Sequence, residues 1–175
     1  MKKILQRDEK VLRQNAKEIT LAEIKGPKIQ KVLKEMSSAL KAQDDGVAIA
    51  APQIGYALSI FVVSGKIFDE DFTSDEGIPK NKKGIPKDLV FINPKISKLS
   101  REKDWVPEGC LSVRWLYGKT HRSKKATVTA YDENGKKFTR GASGLLAQIF
   151  QHETDHLKGI LFIDHAKDIA EELPR

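Results

Sequence analysis

The sequence predicts an α+β fold in which antiparallel sheets pack around a central helix carrying a His-Glu-x-x-His motif, and three observations carry that expectation. An amphipathic segment comes early, β-prone runs separated by turn signals fill the middle, and a second helical segment comes late. A run of strands with helices before and after it gives an α+β arrangement rather than the alternating units of a parallel sheet.

Residues 28–41 place Ile29, Val32, Leu33, Met36 and Leu40 at helical spacing with lysines between them, the pattern of a helix lying on a core. Gly46 to Gly55 is a run of small residues, followed by Leu58 to Val63, which reads as a buried strand. Residues 64–87 are polar, with an acidic half before a basic half, and read as a long surface loop. Leu89 to Asn93 is another apolar strand, closed at Pro94. Residues 125–140 contain Asn134-Gly135, the commonest two-residue hairpin turn. Ser143 is placed to cap, and Gly159 to end, a helix over residues 144–158. No repeat or linker interrupts the 175 residues, which read as one domain, 1–175. A chain of that length buries about two-thirds of its unfolded surface and can shape a cleft.

The net charge of +7 comes from 31 basic and 24 acidic residues that are largely interspersed, as on a solvated surface. Loose electrostatic contact with a polyanion such as the ribosome fits this charge, whereas sequence-specific nucleic-acid reading has no motif to support it. No apolar run approaches the roughly 18 residues of a membrane span, and the first residues lack a secretory stretch, so no membrane role and a cytoplasmic location are expected. The single cysteine, Cys110, forms no internal disulfide, which agrees with a reducing compartment.

The chemistry concentrates in His152-Glu153-Thr154-Asp155-His156. Side chains four apart on a helix are neighbours, so two histidines at this spacing can direct ring nitrogens at one ion. Leu145, Ile149, His152 and His156 fall within roughly 60° around the helix, and Leu146, Phe150 and Leu157 extend the arc, so the histidines point inward. Gln148, Gln151, Asp155 and Lys158 form the opposite, polar side. Glu153 falls in the inward face, where an unpaired carboxylate costs several kcal/mol or protonates, so it needs a partner or a proton-transfer task.

A catalytic site of this type takes three protein ligands and keeps one position open. The long extension of the motif would put its last histidine at Phe162, which cannot ligate, and a downstream glutamate is represented only by Glu171 and Glu172. His121, His165 and Cys110 remain as third-ligand candidates. Of these, Cys110 lies in Glu108-Gly109-Cys110-Leu111-Ser112, between a glycine and an expected short strand, where a backbone can approach a ligand closely.

That segment and Gln151 to Leu157 resemble two of the three signature motifs of the peptide deformylases, and Gly46 to Gln53 resembles the third. Leu12-Arg13, Ile92-Asn93-Pro94, the Asn134-Gly135 hairpin and Leu161 to Asp164 extend the likeness over most of the chain. The resemblance implies that Cys110, His152 and His156 hold one divalent ion, with His121 and His165 left at the surface. Iron(II) is the family's common physiological ion, and zinc, nickel or cobalt also suits a thiolate with two imidazoles. The implied reaction is hydrolysis of the formyl group from the N-terminal formylmethionine of nascent polypeptides, releasing formate. Glu153 would carry the proton from an activated water to the departing amine. The Gln53 amide and the Leu111 backbone N–H would donate to the formyl oxygen. Gly46, Val47, Ala48 and Ile49 would pair with the peptide as an added strand, with Gly109 on the other side.

The chain departs from the family pattern at three places: Ala48 stands for a glycine, Arg114 and Trp115 follow where a proline is usual, and Gln148 replaces an arginine. These changes bear on peptide preference more than on activity. The competing expectations are a general His-Glu-x-x-His peptidase and a non-catalytic, metal-stabilised RNA-binding module. A monomer is expected.

Overall fold

Proline at the first position of a helix costs no hydrogen bond, and in the computed structural model, which describes residues 2–69, 72, 84 and 86–174, Pro27 opens the longest helix. A single-turn helix, α1 (Leu21–Ile24), precedes it and is closed by a reciprocal cap between Thr20 and Glu23. The main helix, α2 (Pro27–Lys41), buries the expected stripe of Ile29, Val32, Leu33, Met36 and Leu40, together with Ala39.

Two antiparallel sheets follow. The first has five strands in the order β1 (Ala48–Ala50), β2 (Ile60–Val63), β3 (Leu89–Leu99), β6 (Lys125–Tyr131) and β7 (Lys137–Ser143). The second has three, in the order β4 (Lys103–Gly109), β5 (Leu116–Ser123) and β8 (Lys167–Glu171). The period-two alternation of a strand sorts the first sheet's side chains between two cores. Ile60, Val62 and Ile92 pack toward α2, while Phe61, Val63 and Phe91 pack toward the late helix, α3 (Gly144–His156). Phe61 stacks on Phe91 with centroids 4.5 Å apart, and Phe150 of α3 meets Phe91 edge-on at 5.2 Å. On its other side α3 is tied to β5, because Arg122 pairs with Asp155 at 2.7 Å. The helix carrying the two histidines is therefore central, as expected.

Five details differ from the sequence reading. The strand expected to close at Pro94 runs on as β3 to Leu99, with a register shift against β6 between Ile92 and Lys95. The hairpin between β6 and β7 is a three-residue loop: Asp132 N–H donates to the Lys136 carbonyl at 2.9 Å and Gly135 N–H to the Asp132 carbonyl at 3.0 Å. Only Gly135, at φ 77°, is left-handed, whereas a two-residue Asn-Gly turn needs both residues there. Asp132 Oδ1 fixes this alternative by accepting from the Asn134 and Lys136 N–H groups, each at 2.9 Å. Ser143 precedes α3 without a side-chain capping bond, because it is still paired with Lys125 as the last rung of the sheet. The helix itself ends at His156, and the chain then turns over Gly159 (φ 72°), with Gly159 N–H on the His156 carbonyl at 3.1 Å and Ile160 N–H on the Asp155 carbonyl at 3.0 Å. Cys110 comes after a strand, β4, and sits in a turn closed by Val113 N–H on its own carbonyl at 3.0 Å. Of the segment 64–87, Gly65–Phe68 forms a 3-10 turn, and most of the remainder lies outside the described residues. Among the described residues no helix is long and apolar enough to cross a membrane.

Candidate metal centre and cleft

The helical spacing of four places His152 and His156 side by side, with ring centroids 4.9 Å apart, on the face of α3 opposite the turn after β4. Cys110 joins them across 46 residues of sequence, its Sγ 3.2 Å from His156 Nε2. One ligand atom from each of the three residues lies within 4.8 Å of the others. Around a tetrahedral zinc-type ion with S at about 2.3 Å and N at about 2.1 Å, donor atoms stand about 3.5 Å apart, so this set fits a cation with little rearrangement. His121 and His165 are exposed; His121 stacks on Trp105 at 4.9 Å and His165 reaches Asp155 at 3.5 Å.

The ring orientation of His152 is set by Glu108, whose Oε1 is 2.7 Å from Nδ1, leaving Nε2 for the ion. Glu108 is itself held by four side chains. Arg122 reaches it at 2.6 Å and 3.0 Å, the Thr120 hydroxyl donates at 2.7 Å, and the Gln148 amide donates at 3.1 Å. Burial alone would raise the Glu108 pKa, but hydrogen bonds from His152 and Arg122 hold it well below the usual carboxylate range. Burial likewise opposes a charged His152, yet contacts with Cys110 and Glu108 raise its pKa well above the ordinary histidine value. A cation held at Nε2 would take the place of that proton. His156 goes the other way: burial, then the neighbouring His152 charge, lowers its pKa.

Glu153 is 3% exposed, and its Oε2 has no hydrogen-bond partner among the described residues. Burial pushes its pKa up to about 7, against the lowering effect of His152. A carboxylate that releases and accepts a proton near neutrality, next to three metal-type ligands, is suited to proton transfer.

The polar side of α3 is not a solvent face. Gln151 is buried, accepting from Ser123 N–H at 2.9 Å and donating to the Ser123 carbonyl at 3.0 Å. Gln148 bridges Glu108 and the Pro107 carbonyl, and Asp155 pairs with Arg122; of the four residues only Lys158 is exposed. The second sheet covers that face, so its polar groups bond to protein instead of water. Glu108 and Ser112 stood in the quoted motif without an assigned role, and Thr120 and Arg122 carried no sequence signal that set them apart. Arg122 lies 14 residues from Glu108; the register sets Asp104 opposite Arg122 and Gly118 opposite Glu108, so the two share one face of the sheet and the long Arg122 side chain reaches along that face to the carboxylate.

A cleft of about 530 Å³ runs over the centre. One wall carries Gly46, Val47, Ala48 and Gln53, the other Gly109, Cys110 and Leu111, and His152 and Glu153 lie at its base. Ile49 contributes no cleft surface; it is wholly buried against the α2 side of the sheet. Gln53 is 1% exposed rather than a solvated turn residue. Its Oε1 accepts from Ala50 N–H at 2.8 Å, and its Nε2 donates to Ser112 Oγ at 3.1 Å and lies 3.7 Å from Cys110 Sγ. Gly109 must be glycine, because a Cβ there would lie 2.7 Å from the Tyr117 ring. The Ala48 methyl group packs among Phe61, Val63 and their neighbours on the α3 side, so it leaves the edge of β1 clear.

β1 is an edge strand. Ser64 N–H donates to the Val47 carbonyl at 2.8 Å, so the alternation of an antiparallel pair turns the Ala48 N–H and C=O away from β2, toward the open edge.

A sequence profile of the family described as polypeptide deformylase matches residues 1–172. Peptide deformylase 2 of Clostridium acetobutylicum is 38% identical over 157 residues, which cover 90% of this chain and 89% of that protein. Peptide deformylase 1A, chloroplastic/mitochondrial, of Arabidopsis thaliana is 36% identical over 88% of this chain, a match that spans 57% of the plant protein. Among solved structures, a peptide deformylase from Synechococcus elongatus in complex with actinonin superposes with a TM-score of 0.76 at 31% identity, covering 94% of this chain and 78% of that one. A Met-ala-ser-bound class I type b peptide deformylase from Acinetobacter baumannii gives a TM-score of 0.79 at 26% identity, covering 94% of this chain and 99% of that one. A match along nearly the whole length, in sequence and in fold, leads to one conclusion: this chain belongs to the polypeptide deformylase family.

Proposed function

We propose that the chain is a single catalytic domain that hydrolyses the formyl group from the N-terminal formylmethionine of nascent polypeptides. Cys110 Sγ and the Nε2 atoms of His152 and His156 would hold the ion it needs. The observation that carries this reading is a buried carboxylate, Glu153, with an unsatisfied oxygen beside a Cys-His-His ligand set, at the base of a cleft walled by an open strand edge. When bound, the divalent ion supplies Lewis acidity, favouring deprotonation of water and polarising the formyl carbonyl. Iron(II) is the ion we assign, although zinc, nickel and cobalt suit the same donors.

Glu153 takes the proton from the attacking water and returns it to the departing amine, a double role that its position near neutrality favours. The Gln53 Nε2 and the Leu111 N–H donate to the oxygen on which charge develops. The Gln53 amide needs no reorientation, because Ala50 N–H already fixes its other end. The peptide lies along the outward peptide group of Ala48 as an added strand, with Gly109 facing it. The Met-ala-ser peptide bound by the Acinetobacter baumannii relative has the composition expected of a product in such a groove. We assign a cytoplasmic monomer whose net charge of +7 favours loose contact with the ribosome.

The test is formate release from formyl-Met-Ala-Ser under anaerobic conditions with each candidate metal, run beside the unformylated peptide. Formate from the first and no internal cleavage of the second is expected; the reverse would refute the assignment. Glu153→Ala should retain its metal and lose between about 100- and 10,000-fold in turnover. Undiminished turnover in that variant would remove Glu153 from the mechanism.

A further inference from the structure

We propose that Arg114 is a positioning residue for the peptide: it clasps the turn after β4 to the segment entering β1 and so fixes the spacing between the two cleft walls. The inference rests on the deformylase reading above. The Arg114 guanidinium forms a two-pronged pair with Asp45, of which the Nη2–Oδ1 contact is 3.0 Å, and its Nη2 also donates to Gln43 Oε1 at 3.1 Å. Its Cζ lies 4.5 Å from the Trp115 ring centroid. The Arg114 side chain is 18% exposed and Asp45 53%, so the pair is shielded on the arginine side alone, and its two-pronged geometry is what sets it above a single-contact surface ion pair. Asp45 and Arg114 both line the cleft, one from each wall.

The two tied segments differ in how else they are held. The turn after β4 is braced to other segments three more times: Gln6 Nε2 donates to the Leu111 carbonyl at 3.0 Å, the Arg114 backbone N–H donates to Gln6 Oε1 at 3.2 Å, and Gln53 donates to Ser112 at 3.1 Å. Among the described residues the segment entering β1 is held, besides the clasp, by the Gly46 N–H on the Gln43 carbonyl at 3.1 Å, the Ser64 N–H on the Val47 carbonyl at 2.8 Å and, in an exposed contact, the Lys66 Nζ on the Asp44 carbonyl at 2.9 Å. Opening the clasp therefore releases the entry of β1 while Cys110 and Leu111 stay in place. Strand addition weakens, and the chemistry at the ion is spared. The guanidinium is already occupied by Asp45 and Gln43, which distinguishes a clasp from a group that reads a substrate carboxylate directly.

The experiment uses the metal-loaded wild type, Arg114→Ala, Asp45→Ala, the double variant and Arg114→Lys, with kcat and KM measured on formyl-Met-Ala-Ser and Met-Ala-Ser binding measured by calorimetry. Each alanine variant is expected to raise KM about tenfold, with no further rise in the double variant, because the two side chains act as one unit. The expected kcat stays within about twofold of wild type, and product affinity falls in parallel with KM. Arg114→Lys keeps the charge but loses the fork, so it recovers only part of the loss. Unchanged KM in Arg114→Ala, additive effects in the double variant, or tighter peptide binding in Asp45→Ala would overturn the clasp. Should Arg114→Ala fail to fold, Asp45→Ala and Arg114→Lys carry the same comparison. A wild type that releases no formate defeats the deformylase reading and the clasp together, whereas normal wild-type turnover with unaltered variants defeats the clasp alone.

Discussion

Glu108 shows how much of a candidate metal centre depends on a residue outside the proposed ligand set. Its carboxylate collects donors from Thr120, Arg122, Gln148 and His152, and together they occupy both oxygens and favour the ionised form, which accepts and does not donate. Its folded pKa is depressed, so its contribution to stability is fully present above its unfolded value of about 4.3 and is lost as pH falls through the lower folded value. Between those two values the wild type should lose stability with up to one proton's slope from this residue, about 1.4 kcal/mol per pH unit. Glu108→Gln should remove that part of the acid limb in denaturant titrations. It should also cost about 3–5 kcal/mol at neutral pH, because Arg122 is left buried with a weakened partner. An acid limb of the same steepness in the variant would show that Glu108 is not held ionised. None of this is visible in the sequence, where Glu108 is one acidic residue among 24; its character comes from strand pairing that brings Arg122 and Thr120 against it.

At the scale of elements, α3 and its exit turn place the ligands. The turn packs against the N-terminal segment: Ala16 N–H donates to the Leu157 carbonyl at 2.9 Å, and Arg13 pairs with Asp164 at 2.6 Å. Gly159 lies where these meet, at φ 72°, and a Cβ added there would stand 2.6 Å from the Arg13 carbonyl carbon and oxygen. Gly159→Ala should therefore cost about 1–3 kcal/mol for the left-handed conformation, with a further penalty for the displaced backbone. Equilibrium unfolding in urea measures it, and a loss below about 0.5 kcal/mol would mean that the turn relaxes without strain. The helix, its inward histidines and its terminating glycine were legible from periodicity and from one residue type. The missing Ser143 cap was not, because the preceding sheet rung, a pairing across 18 residues between Ser143 and Lys125, decides where that side chain points.

At the scale of the whole molecule, the proposed ligand set comes together only when the turn after β4 and α3 are packed against each other, so metal affinity and folding should be linked. A metal at about 1,000 times its Kd should stabilise the fold by about 4 kcal/mol. For a chain of this size that corresponds to a rise in Tm of roughly 8–16 °C. Cys110→Ala should abolish most of that rise and leave the protein largely metal-free by elemental analysis. A full metal complement in Cys110→Ala would remove the sulfur from the site.

The sequence by itself determined the fold class, the face of α3 that turns inward, and the ligand types at fixed helical spacing. Each depends on periodicity or on neighbours a few residues apart. The motif likeness already pointed to Cys110 over His121 and His165; only the tertiary structure showed its sulfur against His156, the polar side of α3 covered by β4 and β5, and Arg114 reaching across to Asp45. Those contacts join residues 33 to 69 positions apart, or 46 for the cysteine, and their partners are set by sheet register and layer packing. A local pattern fixes which way a side chain faces along its own element, whereas the group it meets there is chosen by the packing of distant elements.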